Sequence, residues 1–200
     1  MTIKALIWDL EGVLMVTGEK DLPTTVAMKL GAPYEKIWEI FFSDINDKVD
    51  LGEITQDEFN QYVLDTLQLP GEKKVVLEKI VYEDFYIDEE LLKTITELRG
   101  KYKMGLLSNF SDELRQRIDN EWSLGSTFDE IIISCEVGLV KPDPEIFNLM
   151  LDRLGVRADE AVFIDDRVKN IDGAKKMGFH TVFYTNREAA MGELARILQA

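Results

Sequence analysis

Ile3-Lys4-Ala5-Leu6-Ile7-Trp8-Asp9-Leu10-Glu11-Gly12-Val13-Leu14 is the stretch on which the reading of the fold turns. Its apolar run is too short for a helix and ends on a carboxylate; a second carboxylate follows two residues later, then a glycine. A continuously apolar strand belongs to a sheet covered on both faces, and such sheets carry their chemistry at the carboxyl ends of the strands. Asp9 stands at that position. An aspartate there is either a solvated turn residue or a covalent nucleophile, the latter only if the site neutralises an incoming phosphate. The rest of the chain has to decide between them.

Working outward, the chain changes character after Leu14. Residues from about 20 to 88 hold no convincing strand, but Tyr34, Ile37, Trp38, Phe41 and Phe42 recur at helical spacing, as do Phe59, Tyr62, Val63, Thr66 and Leu67. Thr55-Gln56-Asp57-Glu58 reads as a capping box. Val75, Val76, Lys79 and Ile80 extend the pattern, with Phe85 as a further candidate, and Pro70-Gly71 interrupts it. An aromatic stripe of this kind is most simply the core of a small helical bundle. From about Ile87, helix and strand alternate: a helix from Glu89 to Gly100, strands Lys103–Ser108 and Glu130–Ser134, and a helix capped by Ser111 and running through Asn120. Asp143-Pro144 opens a helix to about Gly155; strand Ala161–Ile164, helix Asn170–Met177, strand Thr181–Tyr184 and a helical tail complete the chain. Repeated βα units predict an α/β fold, a doubly wound parallel sheet with an inserted helical bundle. The expected division is a core of residues 1–14 and 88–200 and an insertion of residues 15–87.

Composition removes whole classes of function. With 200 residues, 46% apolar and 30% charged, the chain suits one good core plus an insertion. A net charge of −15 argues against nucleic acid and against an anionic membrane surface, both of which need clustered Lys and Arg. A phosphorylated substrate would therefore require a local cation against a field of the wrong sign. Cys135 alone rules out an internal disulfide and reads as buried filler in a reducing compartment; without a basic-then-apolar leader or a membrane-length apolar run, the expectation is a cytoplasmic protein. His180, the single histidine, reads as a surface turn residue just before a strand.

Three further strand ends carry polar residues. Ser108-Asn109 offers a hydroxyl and an amide suited to phosphoryl oxygens, although Ser-Asn is also ordinary turn chemistry. Lys141, in Gly138-Leu-Val-Lys-Pro-Asp-Pro144, is a compact cation fixed between a glycine turn and a proline. Asp165-Asp166 directly follows an apolar strand; two adjacent acids beside Asp9 are costly unless a cation sits between them, and oxygen ligands of this kind suit Mg²⁺. A helix-capping role would explain one of these aspartates, hardly both.

Asp9-Leu-Glu-Gly-Val, Ser108-Asn109, Lys141-Pro142 and Asp165-Asp166 with Asn170 resemble the four ordered motifs of the haloacid dehalogenase (HAD) superfamily. The insertion resembles the helical cap of its C1-capped, subfamily I members. Gly52-Glu-Ile-Thr55 with Glu58-Phe59, and Phe163-Ile-Asp-Asp-Arg-Val-Lys-Asn-Ile171, resemble the branch of sugar-phosphate phosphatases and of the amino-terminal phosphatase domain of soluble epoxide hydrolases. The resemblance implies a Mg²⁺-dependent phosphatase acting on a small phosphorylated metabolite, sugar phosphates among the candidates, through an aspartyl phosphate. It implies Asp9 as nucleophile; Mg²⁺ on Asp9, the Glu11 carbonyl, Asp165 and Asp166; and Ser108, Asn109 and Lys141 on the phosphoryl group. Asn170 would support the metal loop. The family usually has Asp where this chain has Glu11. A glutamate can do the same acid–base work, but displaced by roughly an ångström, which can cost about a hundredfold. This leaves open a full phosphatase, a slow one, and a variant that retains the phosphoryl intermediate, with a catalytically impaired binding or regulatory protein as the rival from another class; halide chemistry is the weaker option. Phe41, Phe42 and the loop Met15–Lys20 are expected to face the nucleophile, and a monomer or homodimer is expected.

Overall fold

The computed structural model describes residues 2–17, 21–83 and 85–199, and of residues 81–83 only the backbone. The part of the expected Met15–Lys20 loop after Thr17 lies outside the described residues. In chain order the elements are β1 (Ala5–Trp8), β2 (Met15–Thr17), α1 (Leu22–Leu30), α2 (Tyr34–Phe41), α3 (Asp44–Asp50), α4 (Gln56–Leu67), α5 (Lys74–Glu83) and β3 (Phe85–Ile87). Then follow α6 (Glu89–Leu98), β4 (Lys103–Ser108), α7 (Leu114–Asn120), β5 (Glu130–Ile133), the single turn α8 (Ser134–Val137), α9 (Pro144–Leu154), β6 (Ala161–Asp165), α10 (Val168–Lys176), β7 (His180–Phe183) and α11 (Arg187–Gln199).

The apolar stretch at the start of the chain is the centre of the molecule. Five parallel strands lie in the order β5-β4-β1-β6-β7, and every residue of β1 is fully buried. Leu6 and Trp8 face a core shared with Leu91 and Ile95 of α6, Ile118 of α7 and Leu194 of α11. Ala5 and Ile7 face the opposite core, with Phe147 of α9 and Ile171 of α10. A strand covered on both sides gains nothing from polar alternation, which is why its sequence is apolar throughout. Taken in chain order, the strands run outward from β1 first through β4 and β5, then on the other side through β6 and β7. The switch point therefore lies between β1 and β6, and a crevice opens there at the strands' carboxyl ends. Trp8 pairs with both Leu106 and Ile164, so the residues that follow these positions emerge side by side.

Helices α1 to α5 gather around a core of their own, built from Val26, Leu30, Ile37, Phe59, Val63 and Ile80. The Thr55 capping box is present: the Glu58 amide donates to Thr55 Oγ1 at 3.2 Å and the Thr55 amide to Glu58 Oε2 at 2.8 Å. Phe85 is not helical. It opens β3, which pairs antiparallel with β2 (Thr17 with Phe85, Met15 with Ile87) and ties the two ends of the helical segment together. Strands of three residues give no usable period-two signal, and their partner lies about seventy positions away, so this ribbon could not be read locally. Ser111 does not cap a helix; α7 begins at Leu114, and only the Ser111 carbonyl takes part, accepting from the Leu114 amide at 3.3 Å. Asp143 occupies the N-cap of α9 without a side-chain capping bond. His180 is the first residue of β7, half-buried, rather than part of the preceding turn. Cys135 is half-buried against the core, and burial pushes its thiol up to about 11. No helix among the described residues is long and apolar enough to cross a membrane.

Candidate active site

Asp9 leaves β1 into the crevice, Asp165 ends β6 beside it, and Asp166 follows. Ligand oxygens of these three carboxylates all lie within 4.8 Å of one another. Between two of them sits Lys141, whose Nζ is 2.7 Å from Asp9 Oδ1 and 2.8 Å from Asp165 Oδ2. The side chains of Lys141, Asp9 and Asp165 are 1%, 6% and 0% exposed, so water does little to screen the cluster.

Each member is held from behind. The Leu10 amide donates to Asp9 Oδ1 at 2.7 Å. The Arg167 amide donates to Asp165 Oδ1 at 2.8 Å, and Asn170 Nδ2 donates to both Asp165 oxygens at 3.0 Å. Asn109 clamps the backbone of Lys141: its Oδ1 accepts from the Lys141 amide at 2.8 Å and its Nδ2 donates to the Lys141 carbonyl at 3.0 Å. The loop carrying the cation is thus fixed by a side chain at the tip of β4, and one Asn109 amide hydrogen is left over. The peptide bond between Lys141 and Pro142 is cis. Gly12 permits the close approach of Asp166: at φ +80° a Cβ on Gly12 would lie 2.3 Å from Asp166 Oδ2. That φ also lies in the region that favours glycine.

One lysine does not neutralise three acids. Burial above all raises the Asp9 carboxyl from 3.8 to about 8; Lys141 pulls it down, while Asp165 and Asp166 push it further up. Asp166 is raised by burial and by Asp165. Burial would lower the Lys141 ammonium, yet Asp9 and Asp165 carry it above its ordinary value. Among the described residues, Asp166 Oδ1 and Ser108 Oγ are buried without a hydrogen-bond partner. Three converging carboxylates with an unpartnered oxygen fit a hard divalent cation. An unpartnered hydroxyl at the tip of β4 fits an anionic oxygen.

All seven residues singled out from the sequence, Asp9, Glu11, Ser108, Asn109, Lys141, Asp165 and Asp166, therefore lie at the carboxyl ends of β1, β4 and β6 or on the loop after α8. Glu11 stands apart from the carboxylate cluster. Its Oε2 is 3.4 Å from Arg167 Nη2, and its side chain remains 32% exposed. Burial raises its carboxyl and Arg167 opposes the shift. Arg167 was passed over in the sequence, although its place directly after Asp165-Asp166 was a usable signal. Asp50, from α3, was missed as well; burial and the nearby Glu11 raise its carboxyl to about 6.

Comparison with known proteins agrees with this architecture. The family model for haloacid dehalogenase-like hydrolases matches residues 3–178, and the chain belongs to that family. The D-ribitol-5-phosphate phosphatase of Bacteroides thetaiotaomicron is 27% identical over 99% of this chain and all of its own. The porcine bifunctional epoxide hydrolase 2 is 26% identical over 98% of this chain but only 39% of its own length, so the chain spans about two fifths of that relative. A HAD-family enzyme of Bacteroides thetaiotaomicron, solved with magnesium and inorganic phosphate, superposes with a TM-score of 0.74 at 26% identity, covering 90% of this chain and 93% of that one. Dehalogenases are also among the relatives: the (S)-2-haloacid dehalogenase 4A of Burkholderia cepacia is 29% identical over 66% of this chain and 58% of its own.

Proposed function

We propose that the protein hydrolyses a small phosphomonoester with Asp9 as nucleophile and Mg²⁺ as cofactor. The observation that carries the proposal is the cluster of buried Asp9 and Asp165 with half-buried Asp166, which encloses a single lysine and needs further positive charge. Asp9, Asp165, Asp166 and the Glu11 carbonyl would hold the ion. When bound, it offsets charge on the transferring phosphoryl oxygens. Lys141 keeps Asp9 in position and meets a phosphoryl oxygen, and the unpartnered Ser108 hydroxyl donates to another. Asp9 attacks phosphorus as the ester P–O bond breaks, and the leaving oxygen takes a proton from Glu11. Water then attacks the aspartyl phosphate, Glu11 accepts its proton, and inorganic phosphate leaves with Asp9 restored. Asn109 and Asn170 position the machinery, one through the Lys141 backbone and the other through Asp165. Residues 15–87 form a cap whose closure excludes bulk water.

The test is release of phosphate from 4-nitrophenyl phosphate. Turnover that needs Mg²⁺ and disappears in Asp9→Asn is expected; turnover that survives Asp9→Asn, or halide release from a 2-haloacid in its place, overturns the proposal. A second reading, an impaired binding or regulatory protein, is favoured by the contact of Glu11 with Arg167, which holds the acid–base group away from the cluster. Silence in the wild type with activity in Glu11→Asp would favour that reading.

A further inference from the structure

Deepening the phosphomonoester reading and resting on it, we propose that Arg167 is the positioning residue for Glu11, holding the acid–base carboxylate where the leaving group lies. The glutamate is matched to its arginine, and an aspartate at position 11 would fall short of it. A cavity of about 360 Å³ adjoins the carboxylate cluster; Glu11, Asn109 and Arg167 line it, with Phe41, Phe42 and Asp50 of the helical segment. The leaving group has to lie on this side, because both faces of the sheet behind Asp9 are filled by buried side chains. Glu11 Oε2 is 3.4 Å from Arg167 Nη2 on the lining of that cavity. Glu11 Oε1 has no partner among the described residues and is available for a proton. Glu11 is also the only acid within ion-pair distance of the Arg167 guanidinium among the described residues; Asp50 acts on it through its field alone.

Both backbones are pinned, so side-chain length decides whether the two groups meet. The Gly12 amide donates to the Met15 carbonyl at 2.8 Å, and Gly12 lies against Asp166, where a Cβ would come within 2.3 Å of Oδ2. On the other side, the Arg167 amide donates to Asp165 Oδ1 at 2.8 Å, and its carbonyl accepts from the Asn170 and Ile171 amides at 3.0 and 3.2 Å. An aspartate at position 11 would set its carboxylate back by roughly an ångström, out of reach of a guanidinium already 3.4 Å away. Stability does not account for the contact. With the two side chains 32% and 48% exposed, solvent screens the pair and it adds little to folding. Acid–base contacts are often long until substrate tightens them. The pull that withdraws Glu11 from the carboxylate cluster therefore turns it toward the leaving group. Arg167 holds Oε2, and the proton moves from Oε1 to the leaving oxygen as the ester P–O bond breaks and its electron pair stays on that oxygen. In the second step Oε1 takes a proton from the water that attacks the aspartyl phosphate.

The experiment is a double-mutant cycle on 4-nitrophenyl phosphate with Mg²⁺. Arg167→Met keeps the stem and removes the guanidinium; it is expected to lower kcat by about 10- to 100-fold and to leave KM within about twofold of the wild type. Arg167→Lys, which keeps the charge but not the fork, should regain part of the loss. Added to Glu11→Gln, Arg167→Met should cost nothing further, because the two residues act as one unit. Glu11→Asp should lose activity as well and be indifferent to Arg167→Met. Mg²⁺ affinity, measured by calorimetry, should be unchanged in Arg167→Met, which separates a misplaced Glu11 from a damaged metal loop. An Arg167→Met enzyme with wild-type kcat, whatever its KM, overturns the inference. So does an undiminished effect of Arg167→Met in the Glu11→Gln background, a parallel fall in Mg²⁺ affinity, or a Glu11→Asp enzyme as fast as the wild type. Each of these leaves the phosphatase reading standing. A wild type that releases no phosphate overturns the phosphatase reading, and the inference falls with it.

Discussion

Replacing Lys141 by methionine keeps the stem and removes the charge. In the wild type, Nζ contacts Asp9 and Asp165 at 2.7 and 2.8 Å with almost no exposure. Removing one partner of a buried ionic group costs about 3–5 kcal/mol, because the remaining charges stay desolvated. For a chain of this size each kcal/mol lowers Tm by about 2–4 °C, so Lys141→Met should melt roughly 6–20 °C below the wild type in EDTA. The sign of the pH dependence follows from Asp9. Its carboxyl already stands at about 8 against 3.8 unfolded, so the folded protein favours the protonated form and loses stability as pH rises through that value. Without Lys141 the carboxyl moves higher still, and the deficit should be larger at pH 8.5 than at pH 5.5. Saturating Mg²⁺ should recover more stability in the variant than in the wild type, since it supplies the missing charge. Differential scanning fluorimetry at both pH values, with EDTA and with Mg²⁺, reads all of this. A variant within a degree or two of the wild type in EDTA at pH 8.5 would refute the view that the cluster is short of positive charge.

Gly12→Ala should cost about 1–3 kcal/mol from the left-handed backbone, and the added Cβ should displace the Asp166 carboxylate; Mg²⁺ affinity measured by calorimetry is expected to fall by about 10- to 100-fold. Asp50→Asn should leave stability unchanged near pH 3.5 and raise it by up to about 3 kcal/mol at pH 8. The Asp50 carboxyl stands at about 6 folded and 3.8 unfolded, so ionising it costs stability as pH rises through that window; urea melts at the two pH values check this. Removal of Mg²⁺ by EDTA should lower Tm by about 5–10 °C relative to a metal concentration of about 100 Kd, and Asp166→Ala should shrink that shift.

The Trp8-Asp9, Ser108-Asn109 and Ile164-Asp165-Asp166 junctions were legible in the linear chain because each is local: an apolar run, its length, and a polar residue at its end. The capping box at Thr55 was legible for the same reason, since its two bonds join residues three apart. Asp9 and Asp165 are 156 positions apart, however, and only the strand order, which sets β6 beside β1, makes them neighbours. The same holds for the three-residue ribbon of β2 and β3, for the clamp of Asn109 on Lys141 and for the contact of Arg167 with Glu11, none of which has a periodic signature. Ser111 makes the limit plain: a serine just ahead of a helical pattern looks like a cap, and only packing decides that its hydroxyl lines a cavity instead. Propensity and periodicity follow from bonded neighbours. Which side chains share a buried volume is decided when the strands cross over and the helices close on them, because that is where desolvation gives each charge and hydroxyl its partner or leaves it without one.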